Sequence, residues 1–244
     1  MNNHYDKPEF FEAYANMDRS KYGLDAAGEW HELKAILPDF TQKTVLDLGC
    51  GYGWHCRYAA NHGAQQVIGI DRSHKMIEQA QLMTEEGNID YKIMDMTDLS
   101  QLPMKFDVII SSLAIHYIED YSSLIKKIYA QLSHGGSFVM SVEHPIFTAH
   151  GSEQWITDNK GEISHWPVDR YFSEGARETE FLGFTVTKYH RTMTTYIQTL
   201  LQQDFVLDQV IEPTPTQEML DTNKEMQDEL RRPMMLLVAA HKKG

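Results

Sequence analysis

The stretch Val45-Leu46-Asp47-Leu48-Gly49-Cys50-Gly51-Tyr52-Gly53 limits what this chain can fold into more than any other. An apolar run meets an acidic residue and then glycines at alternate positions. About twenty residues later a second apolar run, Val67-Ile68-Gly69-Ile70, ends in Asp71, and a third, Ile89 to Met94, leads into Asp95. A strand, a glycine turn and a helix in that order belong to a parallel sheet. Its ligand crevice lies beyond the carboxyl ends of the strands, where the strand order reverses. Asp47, Asp71 and Asp95 then share one sheet edge. Asp71 can accept from both hydroxyls of a ribose, and Asp95 from an adenine amino group.

The turn departs from the dinucleotide pattern G-x-G-x-x-G. Its third glycine comes one residue early, and Asp47 precedes the first. A carboxylate there suits a cation better than a pyrophosphate. On spacing, a methyl donor with an ammonium and a sulfonium is favoured over a dinucleotide.

The rest of the chain alternates strands and helices. Phe10, Phe11 and Tyr14 predict an N-terminal helix, and Trp30, Leu33, Ile36 and Leu37 a second, ended by Pro38. Strands follow at Thr44 to Leu48, Gln66 to Ile70, Ile89 to Met94, Phe106 to Ser111 and Ser137 to Val142. Between them, helices start near Trp54, at Ser73 as N-cap and near Tyr121. Repeated β-α units imply a parallel sheet with right-handed crossovers. From Ile146 to Arg191 the rhythm breaks into an aromatic, glycine-rich insertion, long enough for a binding loop or lid. A helix starts at Thr192, strands cover Phe205 to Ile211 and Met234 to Ala240, and Thr214-Pro215-Thr216-Gln217 predicts a capping box with Pro215 at the first helical position.

Composition narrows the partners. With a formal net charge of −13 and no basic run beyond Lys126-Lys127 and Arg231-Arg232, a nucleic-acid ligand is disfavoured. No apolar run has membrane-helix length, and the N-terminus lacks signal-peptide regions. The two cysteines, Cys50 and Cys56, sit in and after the glycine turn. They read as reduced thiols of a cytoplasmic protein. The expected partner is a small molecule, with no nucleic acid and no membrane, and the chain is a monomer or homodimer.

The same carboxyl edge offers groups for acid–base chemistry. His116 follows the fourth strand, and Glu143-His144-Pro145 the fifth. His190 precedes the helix at Thr192. These four, Glu143, His144, His116 and His190, are the candidate catalytic residues. Trp155, Trp166, Tyr171 and Phe172 form either a lid or the insertion's own core. No tight ligand spacing suggests a metal site.

The motif Val45 to Gly53, with Asp71, Asp95 and Phe106-Asp107-Val108-Ile109-Ile110-Ser111, resembles the class I S-adenosylmethionine-dependent methyltransferases. Ser111-Ser112-Leu113-Ala114-Ile115-His116-Tyr117 and Ser141-Val142-Glu143-His144-Pro145 are similar to a branch of small bacterial methyltransferases of mostly unassigned substrate. The resemblance implies an α/β, three-layer, Rossmann-like sheet of seven strands in order 3-2-1-4-5-7-6, with strand 7 antiparallel. It implies one methyltransferase domain over 1–244, an N-terminal helical cap over 1–40 and a lid-like insertion over 146–191 at the acceptor.

The cofactor implied is S-adenosyl-L-methionine, leaving as S-adenosyl-L-homocysteine. Asp47 and Gly49 would lie near its methionine amino group, Gly51 and Gly53 under the nucleoside, and Asp71 at the ribose, with the adjacent Arg72 also among the cofactor-binding residues. Asp95 and Met96 would hold adenine, Ser111 and Leu113 would border the methionine moiety, and Tyr14 and Arg19 would reach its carboxylate. The function implied is in-line methyl transfer to oxygen or nitrogen of a small acceptor. A nicotinamide-dependent oxidoreductase and a non-catalytic S-adenosylmethionine-binding protein are the alternatives.

Overall fold

The computed structural model describes residues 4–244. After α1 (Pro8–Ala15), α2 (Asp18–Tyr22) and α3 (Trp30–Ile36), the central unit runs β1 (Thr44–Leu48), α4 (Trp54–Asn61), β2 (Gln66–Asp71), α5 (His74–Leu82), β3 (Ile89–Ile93), β4 (Phe106–Ser112), α6 (Tyr121–Gln131) and β5 (Leu132–Glu143). The insertion holds α7 (Pro145–Thr148), β6 (Ile156–Thr157), β7 (Ile163–His165), β8 (Gly175–Phe181) and β9 (Phe184–His190). The chain closes with α8 (Met193–Gln202), β10 (Phe205–Ile211), α9 (Gln217–Thr222), α10 (Met226–Glu229) and β11 (Met235–Lys242).

The seven-stranded sheet has the order β3-β2-β1-β4-β5-β11-β10. β1 to β5 pair in parallel, and β11 is antiparallel to both β5 and β10. This is the α/β architecture and strand order expected above. The inner strands β1, β2, β4, β5 and β11 are mostly apolar on both faces, as burial between two helix layers requires. Alternation along each strand divides the core. Leu46, Leu48, Ile109, Phe138 and Met140 pack with α6 and α8 on one face. Val45, Val67, Val108 and Ile110 pack with α4 and α5 on the other, where α3 also covers Val139, Leu237 and Ala239.

Helix starts follow their caps. Ser73 Oγ accepts from Met76 N at 3.2 Å, Asp120 Oδ1 from Ser123 N at 2.9 Å and Thr192 Oγ1 from Thr195 N at 3.1 Å. The predicted cap at Thr214 is displaced. α9 begins two residues later because the Thr216 hydroxyl accepts from Met219 N. The Gln217 side chain reaches forward to Asp221 at 2.8 Å instead of back, so no capping box forms and Pro215 precedes the cap.

Two pieces sit over the carboxyl edge of the sheet. The N-terminal segment is anchored where Ser73 Oγ donates to Asp6 Oδ1 at 2.7 Å. Phe10 of α1 is fully buried against Phe184 and Phe181 of the β8–β9 hairpin, with ring centroids 5.3 and 6.0 Å away. The aromatic part of the insertion packs elsewhere. Trp166 stacks on Phe147 at 4.9 Å, Trp155 meets it edge-on at 5.0 Å, and the Arg232 guanidinium lies 4.2 Å from its ring. That cluster is a small core of its own.

Gly53 has φ +72° and N-caps α4, and a Cβ there would stand 2.1 Å from the Tyr91 hydroxyl. Gly53→Ala therefore combines left-handed strain with a clash. It should destabilise the fold by at least ~2 kcal/mol in urea unfolding; an unchanged midpoint would contradict this packing.

Candidate functional site

The glycine turn, the N-terminal segment and the β8–β9 hairpin enclose a cavity of about 550 Å³. That lies within the roughly 300–1,000 Å³ range of small-molecule sites. The wall draws on the ends of β1, β2, β4 and β5, the turn after β3, and both added pieces.

Asp71 organises the floor. Its Oδ2 accepts from Gly51 N at 3.1 Å and its Oδ1 from Ser73 N at 2.8 Å. A carboxylate offers about four lone-pair sites, so two remain for a diol. Burial raises its pKa against those two hydrogen bonds and Arg72. Arg72 is exposed and lies on the same wall. Asp95 caps the turn after β3, and both Thr97 donors converge on its Oδ1 at 2.9 and 2.8 Å. Its other oxygen is left for a ligand, beside Met96 on the wall.

The three glycines of the turn differ in their reasons. A Cβ on Gly49 would stand 2.5 Å from Ala114 Cβ, so this position is demanded by protein packing. On Gly51 the nearest atom would be the Tyr14 hydroxyl at 3.8 Å. Gly51 is the one that leaves its backbone open to the cavity, and Gly53 is not on the wall.

Asp47 lies off the wall as well. It is 1% exposed, and the Cys56 thiol donates to its Oδ2 at 3.3 Å. Burial pushes its pKa up to about 7, with the Cys56 bond opposing and Asp71 adding. Asp47, expected near the amino group, thus sits one layer behind the turn. Ser111 is likewise off the wall. Its hydroxyl turns inward to donate to Leu48 O at 3.1 Å, and Ser112 takes its place on the wall beside Leu113. Leu113 holds φ +50° where β4 ends, with its N–H donating to Ser141 O at 2.9 Å.

Tyr14 and Arg19 both reach the cavity. Arg19 Nη2 pairs with Glu29 Oε1 at 3.0 Å, and that carboxylate is 2% exposed. Around them, Tyr52 Oη, Trp54 Nε1 and His55 Nε2 are buried, have no hydrogen-bond partner and belong to residues on the wall. Burial and Arg19 push His55 down to about 3, so its ring is neutral. Unpaired buried polar atoms are costly unless a ligand or water meets them. Their clustering fits the polar end of an amino-acid-like group.

Of the four candidate catalytic residues, the structure brings two together. Glu143 and His116 line the cavity, and Glu143 N donates to His116 Nδ1 at 3.4 Å. Burial, then Lys188 and Arg191, hold His116 well below its usual pKa, so it is neutral. His144 and His190 are not on the wall. His144 caps α7, its Nδ1 accepting from Ile146 N at 3.0 Å. Its Nε2 lies 2.7 Å from Glu212 Oε1, though angled outside hydrogen-bond geometry. His190 Nε2 donates to Tyr171 O at 2.8 Å, and its Nδ1 accepts from Thr148 Oγ1 at 2.7 Å. Trp155, Trp166, Tyr171 and Phe172 are also absent from the wall, and Phe172 is 90% exposed. Phe181, Val186, Thr187 and Tyr189 of the hairpin line it instead.

Lys188 joins the acceptor end of the site from β9. It is 2% exposed, and its Nζ donates to Glu143 Oε1 at 2.5 Å and Glu153 Oε2 at 2.7 Å. Burial would lower its pKa, but the two carboxylates more than offset that and raise it. Glu153 is pushed up to about 7, by burial first and by Glu143 next, against the pull of Lys188. Its signal was alternation along β9: Val186, Lys188 and His190 share the buried face, and a lysine there needs a carboxylate partner.

Among the described residues no helix is long and apolar enough to cross a membrane, and no cluster of His, Cys, Asp and Glu is arranged to hold a metal ion.

Comparison with known proteins bears on the whole chain. Residues 45–136 match the model of a methyltransferase domain family. A Listeria monocytogenes structure assigned as an S-adenosylmethionine-dependent methyltransferase is 54% identical, with TM-score 0.83, and the match covers 90% of this chain and all of that one. An S-adenosylmethionine-dependent methyltransferase structure from Mesorhizobium loti is 42% identical, with the same TM-score and coverage. An uncharacterized protein of Haemophilus influenzae is 34% identical over 98% of this chain and 96% of that one.

The Asp47 carboxyl generates a pH-dependent penalty. The rise from 3.8 to about 7, at ~1.4 kcal/mol per pH unit, makes the ionised form cost roughly 4 kcal/mol. A raised folded-state pKa stabilises below the unfolded pKa, and that stabilisation is lost as pH rises through about 7. Asp47→Asn should therefore gain on the wild type between about pH 4 and pH 7 and level off above. A stability difference independent of pH in denaturant titrations would contradict this environment.

Proposed function

The chain belongs to the class I S-adenosylmethionine-dependent methyltransferases, and on that premise we propose that it methylates a small-molecule acceptor at oxygen or nitrogen. The observation that carries the acceptor class is the enclosure. The β8–β9 hairpin and the N-terminal segment close over the sheet edge and leave about 550 Å³, enough for a nucleoside-sized donor and a compact partner but not for a folded polymer surface. The formal charge of −13 likewise favours a small acceptor over a polyanion.

Roles follow from the donors and acceptors on the wall. Asp71 takes the ribose diol with its two remaining lone pairs. Asp95 and Met96 take the adenine, and Leu113 borders the methionine chain. Arg19, steadied by Glu29, takes the carboxylate, with Tyr14 and the unpaired Tyr52, Trp54 and His55 atoms nearby. When bound, S-adenosylmethionine supplies a methyl group on a sulfonium that departs as a neutral thioether, so no general acid is required. The work of the protein is to hold donor and acceptor in line and exclude water, a term worth up to roughly 7–11 kcal/mol. The aromatic roof, where Tyr5 Oη donates to Tyr117 Oη at 3.2 Å, performs the exclusion. Glu143, beside neutral His116, is the group at the acceptor end able to take a proton.

Asp71→Ala removes charge-assisted contacts to the diol and unties Gly51 from Ser73. Calorimetry should show S-adenosylhomocysteine binding weakened roughly 10- to 100-fold, with the far-ultraviolet circular dichroism retained. Unchanged affinity would refute the assignment. Label from methyl-labelled donor should appear in small molecules of a cell extract; saturable binding without any transfer would favour the non-catalytic alternative.

A further inference from the structure

We propose that the acceptor is a small amine, held and deprotonated by Glu143 and methylated on nitrogen; this rests on the methyltransferase reading above and specifies its substrate. Glu143 ends β5 on the cavity wall, and its two oxygens have different fates. Oε1 is fixed by Lys188 Nζ at 2.5 Å, while Oε2 is buried and has no hydrogen-bond partner. A buried carboxylate oxygen left this way calls for a donor, and a cationic one satisfies it best.

The surroundings agree in charge and shape. Tyr5 and Tyr117 stand close enough for the charge of Glu143 to help raise their hydroxyl pKa values, after burial, Tyr14 and Asp71 for Tyr5 and after burial and Tyr5 for Tyr117. Phe181 and Tyr189 complete the aromatic side of the wall. A carboxylate among ring faces is the usual recognition chemistry for an ammonium. His116 is kept neutral by burial, so it adds no positive charge for an anion. The ammonium of Lys188 is already engaged by both Glu143 and Glu153, and its side chain is 3% exposed. A carboxylate acceptor would thus meet the unpaired Oε2 beside an ammonium already engaged by two carboxylates.

The chemistry balances without a further reactant. An ammonium R–NH3+ gives one proton to Glu143 Oε2 and becomes R–NH2. The nitrogen lone pair forms the N–C bond as the C–S bond breaks, its electron pair staying on sulfur. The products are R–NH2+–CH3 and the neutral thioether, and Glu143 returns its proton to solvent on product release. Lys188 is a positioning residue here: it holds Oε1 and so presents Oε2.

The test uses the full chain, methyl-labelled donor and a small-molecule cell extract split on a strong cation exchanger at neutral pH. Label should enter the retained, amine-bearing fraction, and it should vanish after amines are blocked with an N-hydroxysuccinimide ester. Glu143→Gln should lower this transfer ~100-fold or more while S-adenosylhomocysteine affinity by calorimetry stays unchanged, which also shows that the variant folds. Label confined to the unretained acids and phenols, no label despite intact cofactor binding, or full transfer by Glu143→Gln would each overturn the inference. Loss of S-adenosylhomocysteine binding by the wild type would instead strike the underlying methyltransferase reading.

Discussion

One carboxylate ties the site together. Asp71, at the end of β2, accepts from Gly51 N and from Ser73 N. It thereby fixes the turn after β1 to the first turn of α5. Ser73, whose hydroxyl caps α5, donates a hydrogen bond to Asp6, so the N-terminal segment closes over the same point. Donor floor, helix cap and roof share this junction. Its burial raises the pKa of Asp71, but two backbone hydrogen bonds and Arg72 act against that rise. The arrangement stays receptive to hydroxyl donors.

The opposite end of the cavity is governed by a different electrostatic balance. Lys188 is buried on β9 with one carboxylate from β5 and one from the insertion. Taking a lone ammonium out of water is costly, and here it is met by two acids, one of them raised to about 7. This contact also secures the hairpin to the sheet. The same strand carries the wall residues Thr187 and Tyr189, so anchoring the hairpin and shaping the acceptor space are one structural event. Arg191, next in the chain, donates to the Ile118 and Glu119 carbonyls and ties the hairpin to the segment after β4.

Much of the donor half was legible in the sequence because strand-end carboxylates and alternate glycines are local patterns. Asp71, Asp95 and Gly51 lie where their strands had to end. The faces of Asp47 and Ser111 were not legible, for one reason: at a strand end, a side chain's face depends on its neighbour's hydrogen bonds, and Cys56 and Leu48 draw these two inward. The acceptor half was far less legible. Trp155 and Trp166 read equally as a lid or a core in one dimension, and Arg232, far downstream, stacks with them into a separate core. Lys188 pairs with residues 45 and 35 positions away, a separation that no local pattern encodes. His144 and His190 carried the right chemistry but are used by their own backbones and neighbours.

The claim that most of this account depends on is that the junction at Asp71 is the donor's ribose site, oriented so that the departing sulfur faces Glu143. A crystal structure of the protein with S-adenosylhomocysteine tests it most directly. The account predicts both ribose hydroxyls within hydrogen-bond distance of the Asp71 carboxylate, adenine beside Asp95 and Met96, and the sulfur directed toward Glu143. A nucleoside bound elsewhere in the cavity, or in the reversed orientation with its ribose away from Asp71, would contradict it.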